Sequence, residues 1–180
     1  MLIRQLKEQE IRKAAELKQK CWNEDFKGII PADAMDLEEE IVRLTNWLKD
    51  KKEVDKRVLY GAFLENEFIG YAGACLAEKK DSENGVELKD LFLKKDFRGR
   101  NISLKLIKTI IDEYFENQPT DLIIYNWHGS DSNNLYNYLG GRIFKHITRK
   151  VKGEEVLVDV FRWDIKILSS VINEKLQSSR

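Results

Sequence analysis

The residues whose types and order most plainly suggest chemistry are Asp96-Phe97-Arg98-Gly99-Arg100-Asn101-Ile102-Ser103, a basic turn that runs straight into a helical stripe of Ile102, Leu106, Ile107, Ile110 and Ile111. Between Lys94 and Lys108 the bases Lys94, Lys95, Arg98, Arg100, Lys105 and Lys108 stand against Asp96 alone. A turn of this kind binds anions. The first amides of a helix have no partner within it, the macrodipole places about half a positive charge there, and a glycine lets the backbone close on phosphate oxygens. A solvated basic loop has the same composition, so the reading depends on the elements around it. The opposite sign gathers at Asp33, Asp36, Glu38, Glu39 and Glu40, which reads first as a solvated helix start and second as a surface that draws a cation. Cys21 and Cys75 lack metal-like spacing and read as buried reduced thiols. His128 and His146 are the only histidines, and no Cys or Asp cluster stands at ligand spacing, so no metal is expected.

The surrounding pattern supplies the missing context. Leu2 to Leu6 alternates like a strand, and Ile11, Ala14, Ala15, Leu17 and Trp22 follow at helical spacing. After Gly28-Ile29-Ile30-Pro31 a second helix carries Ile41, Leu44, Trp47 and Leu48. Val58–Leu64 and Phe68–Leu76 read as a hairpin across Glu65-Asn66-Glu67. Val86–Leu93 is a third long strand, with strict alternation placing Glu87, Lys89, Leu91 and Leu93 on one face and Leu88, Asp90 and Phe92 on the other. The helix from Ile102 extends through Tyr114 and Phe115 to Pro119, and Leu122–Trp127 returns as a parallel strand of a β-α-β crossover. A short helix over Asp131–Leu139 stops at Gly140-Gly141. Phe144–Val151 and Val156–Trp163 then pair around Lys152-Gly153, and a last helix begins near Ile165.

This strand-turn-helix resembles the pyrophosphate-binding motif of the GNAT superfamily of acyl-CoA-dependent N-acyltransferases, written Gln/Arg-x-x-Gly-x-Gly/Ala. Arg98 matches its first position, whereas Asn101 and Ser103 stand where glycine and glycine or alanine are usual. Asn tolerates positive φ, and Ser can accept from helix-start amides as an N-cap. The order of elements also resembles the family over nearly the whole chain, as do the link from Trp22 to Pro31 and the tail from Gly140 to Asp164. The resemblance implies an α/β (α+β) fold, a mixed sheet of about seven strands flanked by helices, in one domain over 1–180. Its core would end near 164, with a terminal helix at about 165–177.

What the resemblance implies about the site is specific. The backbone of Leu91, Phe92 and Leu93 would hold pantetheine, and Arg98, Gly99, Arg100, Asn101, Ile102 and Ser103 would bind pyrophosphate. Glu87 stands where some members carry the carboxylate that takes the amine's proton. Its ordinary pKa of about 4.3 is far from that of an ammonium, about 10.4, unless burial raises it. Tyr136 in Asn134-Leu135-Tyr136-Asn137-Tyr138-Leu139-Gly140 matches the tyrosine that faces the CoA sulfur, with Tyr138 second to it. The family's asparagine contact falls on Gly129, so Asn133, Asn126 or Asn134 is expected to replace it. Its phenylalanine after glycine is replaced by Gly141. His128, just past the parallel strand, is an alternative base, and His146 receives no role.

The expected activity is N-acetyl transfer from acetyl-CoA to a primary amine, of a small molecule or a peptide, by direct attack in a ternary complex. A domain that binds acyl-CoA without catalysis is the alternative. Trp22, Phe26, Trp47 and the acidic Asp33–Glu40 stretch suggest a cationic amine with an apolar portion. Bases and acids number 31 each, so no net field favours nucleic acid or a membrane surface. With 42% hydrophobic and 34% charged residues the 180-residue chain can fold a core, and no apolar run approaches a membrane span. A cytoplasmic protein is expected, and the family's habit of dimerising allows a homodimer.

Overall fold

The computed structural model describes residues 1–49 and 56–178. Its strands are β1 (Leu2–Gln5), β2 (Val58–Leu64), β3 (Glu67–Leu76), β4 (Gly85–Leu93), β5 (Asp121–Trp127), β6 (Arg142–Val151) and β7 (Glu154–Asp164). They form one sheet in the order β1-β2-β3-β4-β5-β7-β6, antiparallel throughout except for β4 and β5. The helices are α1 (Ile11–Asp25), α2 (Leu37–Lys49), α3 (Ile102–Glu113), α4 (Asn133–Tyr138) and α5 (Ile165–Gln177). This is the mixed α+β sheet the sequence suggests.

Two apolar layers sandwich the sheet. On one face α1 and α2 bring Ile11, Ala14, Leu17 and Leu44 against Leu59, Phe68 and Tyr71. On the other, α3 and α5 bring Leu106, Ile110, Leu168 and Ile172 against Ala72, Leu88, Leu122 and Phe161. Leu106 and Ile110 are wholly inaccessible, so cutting either to alanine removes contacts worth about 2–5 kcal/mol. Among the described residues no helix is long and apolar enough to cross a membrane.

Several boundaries differ from the sequence pattern for local reasons. Helix α2 starts at Leu37 rather than near Ile41, because Asp36 Oδ1 accepts the Glu39 amide at 2.9 Å and begins the helix before its apolar stripe. Helix α3 stops at Glu113. A separate short turn covers Phe115–Asn117 and closes on Gln118 at φ 48°, leaving Phe115 75% exposed rather than on the buried stripe.

The main correction lies in β4. Gly73 pairs with Asp90 and Ala74 with Leu88, so Lys89 is an unpaired extra residue, a β-bulge. The bulge reverses the alternation halfway along the strand. Leu88, Leu91 and Leu93 face the α3/α5 layer, whereas Asp90 and Phe92 face α1 and α2. Glu87, opposite Cys75, shares that α1/α2 face, so it does not lie on the face of Leu91 and Leu93 as strict alternation requires.

Candidate active site

Strands β4 and β5 pair only through Gly85–Asp121, Val86–Leu122 and Glu87–Ile123, and beyond Glu87 they part. The gap opens a cleft of about 650 Å³. Its walls come from four sources: Leu91, Phe92 and Leu93 of β4, Tyr125, Asn126 and Trp127 of β5, Trp22 of α1 with Phe26 just past its end, and Ser132 and Tyr136 around α4. Arg98, Gly99 and Ser103 border it where α3 begins.

That helix start has the backbone features of an anion site. Gly99 (φ 74°) and Asn101 (φ 58°) both take the left-handed conformation, which turns the chain sharply into α3. Asn101 is the N-cap but its side chain caps nothing, and the first intrahelical bond is from the Lys105 amide to its carbonyl at 3.1 Å. The preceding amides therefore lack a side-chain cap. Ser103 is not a cap either, since it lies inside the first turn of α3 and borders the cleft.

The two arginines have different fates. Arg98 makes paired bonds to Asp25 of α1 (2.9 and 2.7 Å), and its Nε donates to the Leu93 carbonyl at 3.3 Å. Hydrogen bonding to Asp25 raises its pKa, and the paired carboxylate offsets its charge. Arg98 thus ties the turn to α1 and is not a free anion ligand. Arg100 is exposed, with its guanidinium carbon 5.5 Å from the Phe97 ring centre. Cys21 is buried beside Arg98, and burial pushes its thiol up to about 11, in keeping with an inert reduced thiol.

The Tyr136 side chain is buried between Phe161 (5.3 Å) and Trp163 (6.0 Å), borders the cleft, and has no hydrogen-bond partner for its hydroxyl among the described residues. Burial alone pushes its pKa well above the ordinary phenol value, so it remains protonated at neutral pH. Tyr138, by contrast, is 61% exposed under the Lys175 ammonium. The glycine at 141 has a plain cause: a Cβ there would fall 2.3 Å from Trp163 Cζ2 and 2.9 Å from the Tyr136 carbonyl. Gly141→Ala is expected to cost about 1–3 kcal/mol by overpacking, read as a lower urea midpoint, and to disturb the seat of Tyr136.

Glu87 is buried and pairs with Lys89 Nζ at 2.6 Å. Lys89 borders the cleft and Glu87 does not, so the carboxylate is set back from it behind its ion-pair partner. Asn133 is likewise turned away: its Nδ2 donates to Asp159 (3.0 Å) and to the Trp127 carbonyl (3.3 Å), and its Oδ1 accepts from Asn126 (2.5 Å). It is Asn126 and Ser132, bonded at 2.8 Å, that face the cleft. Trp47 also lies elsewhere, its indole N–H donating to the Val58 carbonyl at 3.1 Å.

Toward α1 and α2 the cleft ends in a cluster of four charges, three of them buried and Arg43 partly exposed, which no local sequence pattern assembles. Lys18 Nζ bonds Asp90 (2.9 Å) and Glu40 (3.1 Å), and Arg43 bonds the same two carboxylates at 2.6–3.0 Å. Two cations balance two anions, so Glu40 contributes no net negative field. Asp33, Asp36, Glu38 and Glu39 are exposed and do not border the cleft. The signal was present in the sequence: Lys18 sits one helical turn after Ala14 and just before Cys21 on the buried stripe of α1, where a charge needs a partner.

The model of the Acetyltransferase (GNAT) family matches residues 12–140, from α1 to the end of α4, including the parted strands and the α3 turn. The chain belongs to the GNAT acetyltransferase family. Curated proteins give no sequence match. Among solved GNAT-type structures, ribosomal-protein-alanine N-acetyltransferase from Brucella melitensis is 18% identical, with a TM-score of 0.69 over 91% of this chain and 99% of that one. PaiA N-acetyltransferase from Thermoplasma acidophilum, solved with coenzyme A, is 18% identical, with a TM-score of 0.65 over 88% and 96%. YncA from Salmonella typhimurium, solved with acetyl-CoA, is 14% identical, with a TM-score of 0.67 over 92% and 94%. At these identities the likeness to individual structures is one of fold.

Proposed function

We propose that this GNAT chain acts as one catalytic unit that transfers the acetyl group of acetyl-CoA to a primary amine by direct attack in a ternary complex. The observation that carries the reading is the parting of β4 from β5 beyond Glu87, with the uncapped α3 start at one end and Tyr136 bordering the gap. Coenzyme A in the Thermoplasma structure and acetyl-CoA in the Salmonella one support the same ligand here.

In this reading the β4 backbone at Leu91 and Phe92 holds the pantetheine arm. Leu93 does so less, since its carbonyl already accepts from Arg98. The amides from Gly99 through Ser103 take the pyrophosphate, with Arg100 adding charge and Arg98 fixing the turn. Tyr136, held protonated, donates to the sulfur as the C–S bond breaks and negative charge grows there. Glu87 takes the proton of the attacking amine through an intervening water, once the Lys89 ammonium that it now holds has moved aside. The aromatic wall of Trp22, Phe26 and Trp127, with ring centres about 6 Å apart, suits an acceptor with an apolar portion. The balanced quartet of charges gives a cationic portion no added support.

The ion pair that occupies Glu87 favours a second reading, in which the chain binds acyl-CoA without turnover. One assay separates the two: release of the CoA thiol from acetyl-CoA across a panel of primary amines, with product mass determined. Amine-dependent release with acetylated product supports the transferase. Binding of acetyl-CoA with no release for any amine supports the second reading.

A further inference from the structure

The sheet brings together three residues that the sequence keeps apart. His128 follows β5, His146 lies on β6, and Asp159 lies on β7, directly opposite His146 on one side and Asn126 on the other. Both Nδ1 atoms bond the same carboxylate oxygen, Asp159 Oδ1, at 2.9 Å from His128 and 2.8 Å from His146. The three donor atoms lie within 4.8 Å of one another. These are the only two histidines in the chain, and the sequence reading gave one of them no role.

The geometry points to a divalent transition-metal site at His128, His146 and Asp159, of the class filled by Zn²⁺ or Co²⁺. Two imidazoles and one carboxylate form a borderline N₂O donor set, which these ions prefer to Mg²⁺ or Ca²⁺. Bonds of about 2.0–2.1 Å set the ligands of a tetrahedral ion about 3.3 Å apart, so the two His–Asp159 separations need only a slight widening, and the whole set already lies within 4.8 Å. The imidazole proton now shared with Asp159 would move to Nε2, on rings that are 55% and 51% exposed, and the open side would admit water as fourth ligand.

Asp159 supplies the second argument. It is 2% exposed, and among the described residues no lysine or arginine pairs with it. A buried carboxylate needs compensating charge, and a divalent ion between the two rings provides it. Its other oxygen is already held by Asn133 Nδ2 at 3.0 Å, the kind of outer hydrogen bond that orients a ligating carboxylate. Asn133 in turn holds Asn126 at the cleft wall, so the site is joined to the cleft through two side chains. The backbone of His128 is fixed by its amide bond to the Leu157 carbonyl at 3.0 Å.

The test uses full-length protein without a histidine tag, stripped with chelator and titrated with Co²⁺ while its visible absorption is followed, then with Zn²⁺ by calorimetry. One saturable equivalent is expected, with Mg²⁺ inert. His146→Asn, at a half-exposed position, should abolish binding while leaving the metal-free melting temperature unchanged. Asn133→Ala should weaken binding about tenfold by freeing the ligating carboxylate. Absence of a saturable equivalent overturns the proposal, as does binding that survives His146→Asn.

Discussion

Asp90→Asn should destabilise the protein by about 3–5 kcal/mol, lowering its melting temperature by on the order of 10 °C. The carboxylate is 1% exposed and is the common partner of Lys18 and Arg43 at the bulge of β4. Taking these charges out of water costs several kcal/mol each, and the four-membered arrangement offsets that cost only when complete. Removing the Asp90 charge leaves buried Lys18 and partly exposed Arg43 to share Glu40. The pH dependence has a definite sign. Burial pushes the Asp90 carboxyl up, but Lys18 and Arg43 outweigh it, and its pKa lies below the ordinary aspartate value. The folded state therefore binds this proton less readily than the unfolded chain does. The stabilisation is complete above the unfolded aspartate range, about pH 4, and is lost as pH falls through the lower folded value. Urea titrations of wild type and Asp90→Asn should thus differ most near neutrality and converge in acid. Equal stability at pH 7 would show that the quartet contributes no net stability.

The largest effect on catalysis is expected at Tyr136. Tyr136→Phe should lower kcat about 10²-fold or more, since it removes the only donor proposed to meet the departing thiolate. It should leave acetyl-CoA affinity unchanged. Stability should move by less than about 0.5 kcal/mol, because among the described residues the hydroxyl has no partner to orphan and the ring keeps its contacts with Phe161 and Trp163. A variant with normal kcat would reduce Tyr136 to a packing residue. Melting temperature and KM measured beside kcat separate a lost proton donor from a damaged fold.

The boundaries of β2 and the start of α3 were legible because periodicity and local turn chemistry agree there. Gly99 and Asn101 were legible for the same reason, since only residues that tolerate positive φ fit such a turn. The bulge at Lys89 was not. An alternating strand and a bulged one have the same composition, and only the register opposite Gly73 and Ala74 reveals the extra residue. The commitment of Arg98 to Asp25 was hidden as well, because the two belong to elements far apart in sequence. Sequence position suggests a cofactor contact for Asn133, whereas buried Asp159 beside it decides where its amide turns. The histidines show the same limit: cross-strand partners on β6 and β7, with a third group from the end of β5, have no spacing rule to announce them.

The central claim, that the gap between β4 and β5 with the α3 turn is an acyl-CoA seat, is tested most directly by calorimetric titration of the purified protein with acetyl-CoA, with free CoA and dephospho-CoA for comparison. The account predicts saturable binding at one site per chain. No detectable binding by any of the three would contradict it, showing that Asn101 and Ser103 close the phosphate seat and leaving the family fold without its cosubstrate.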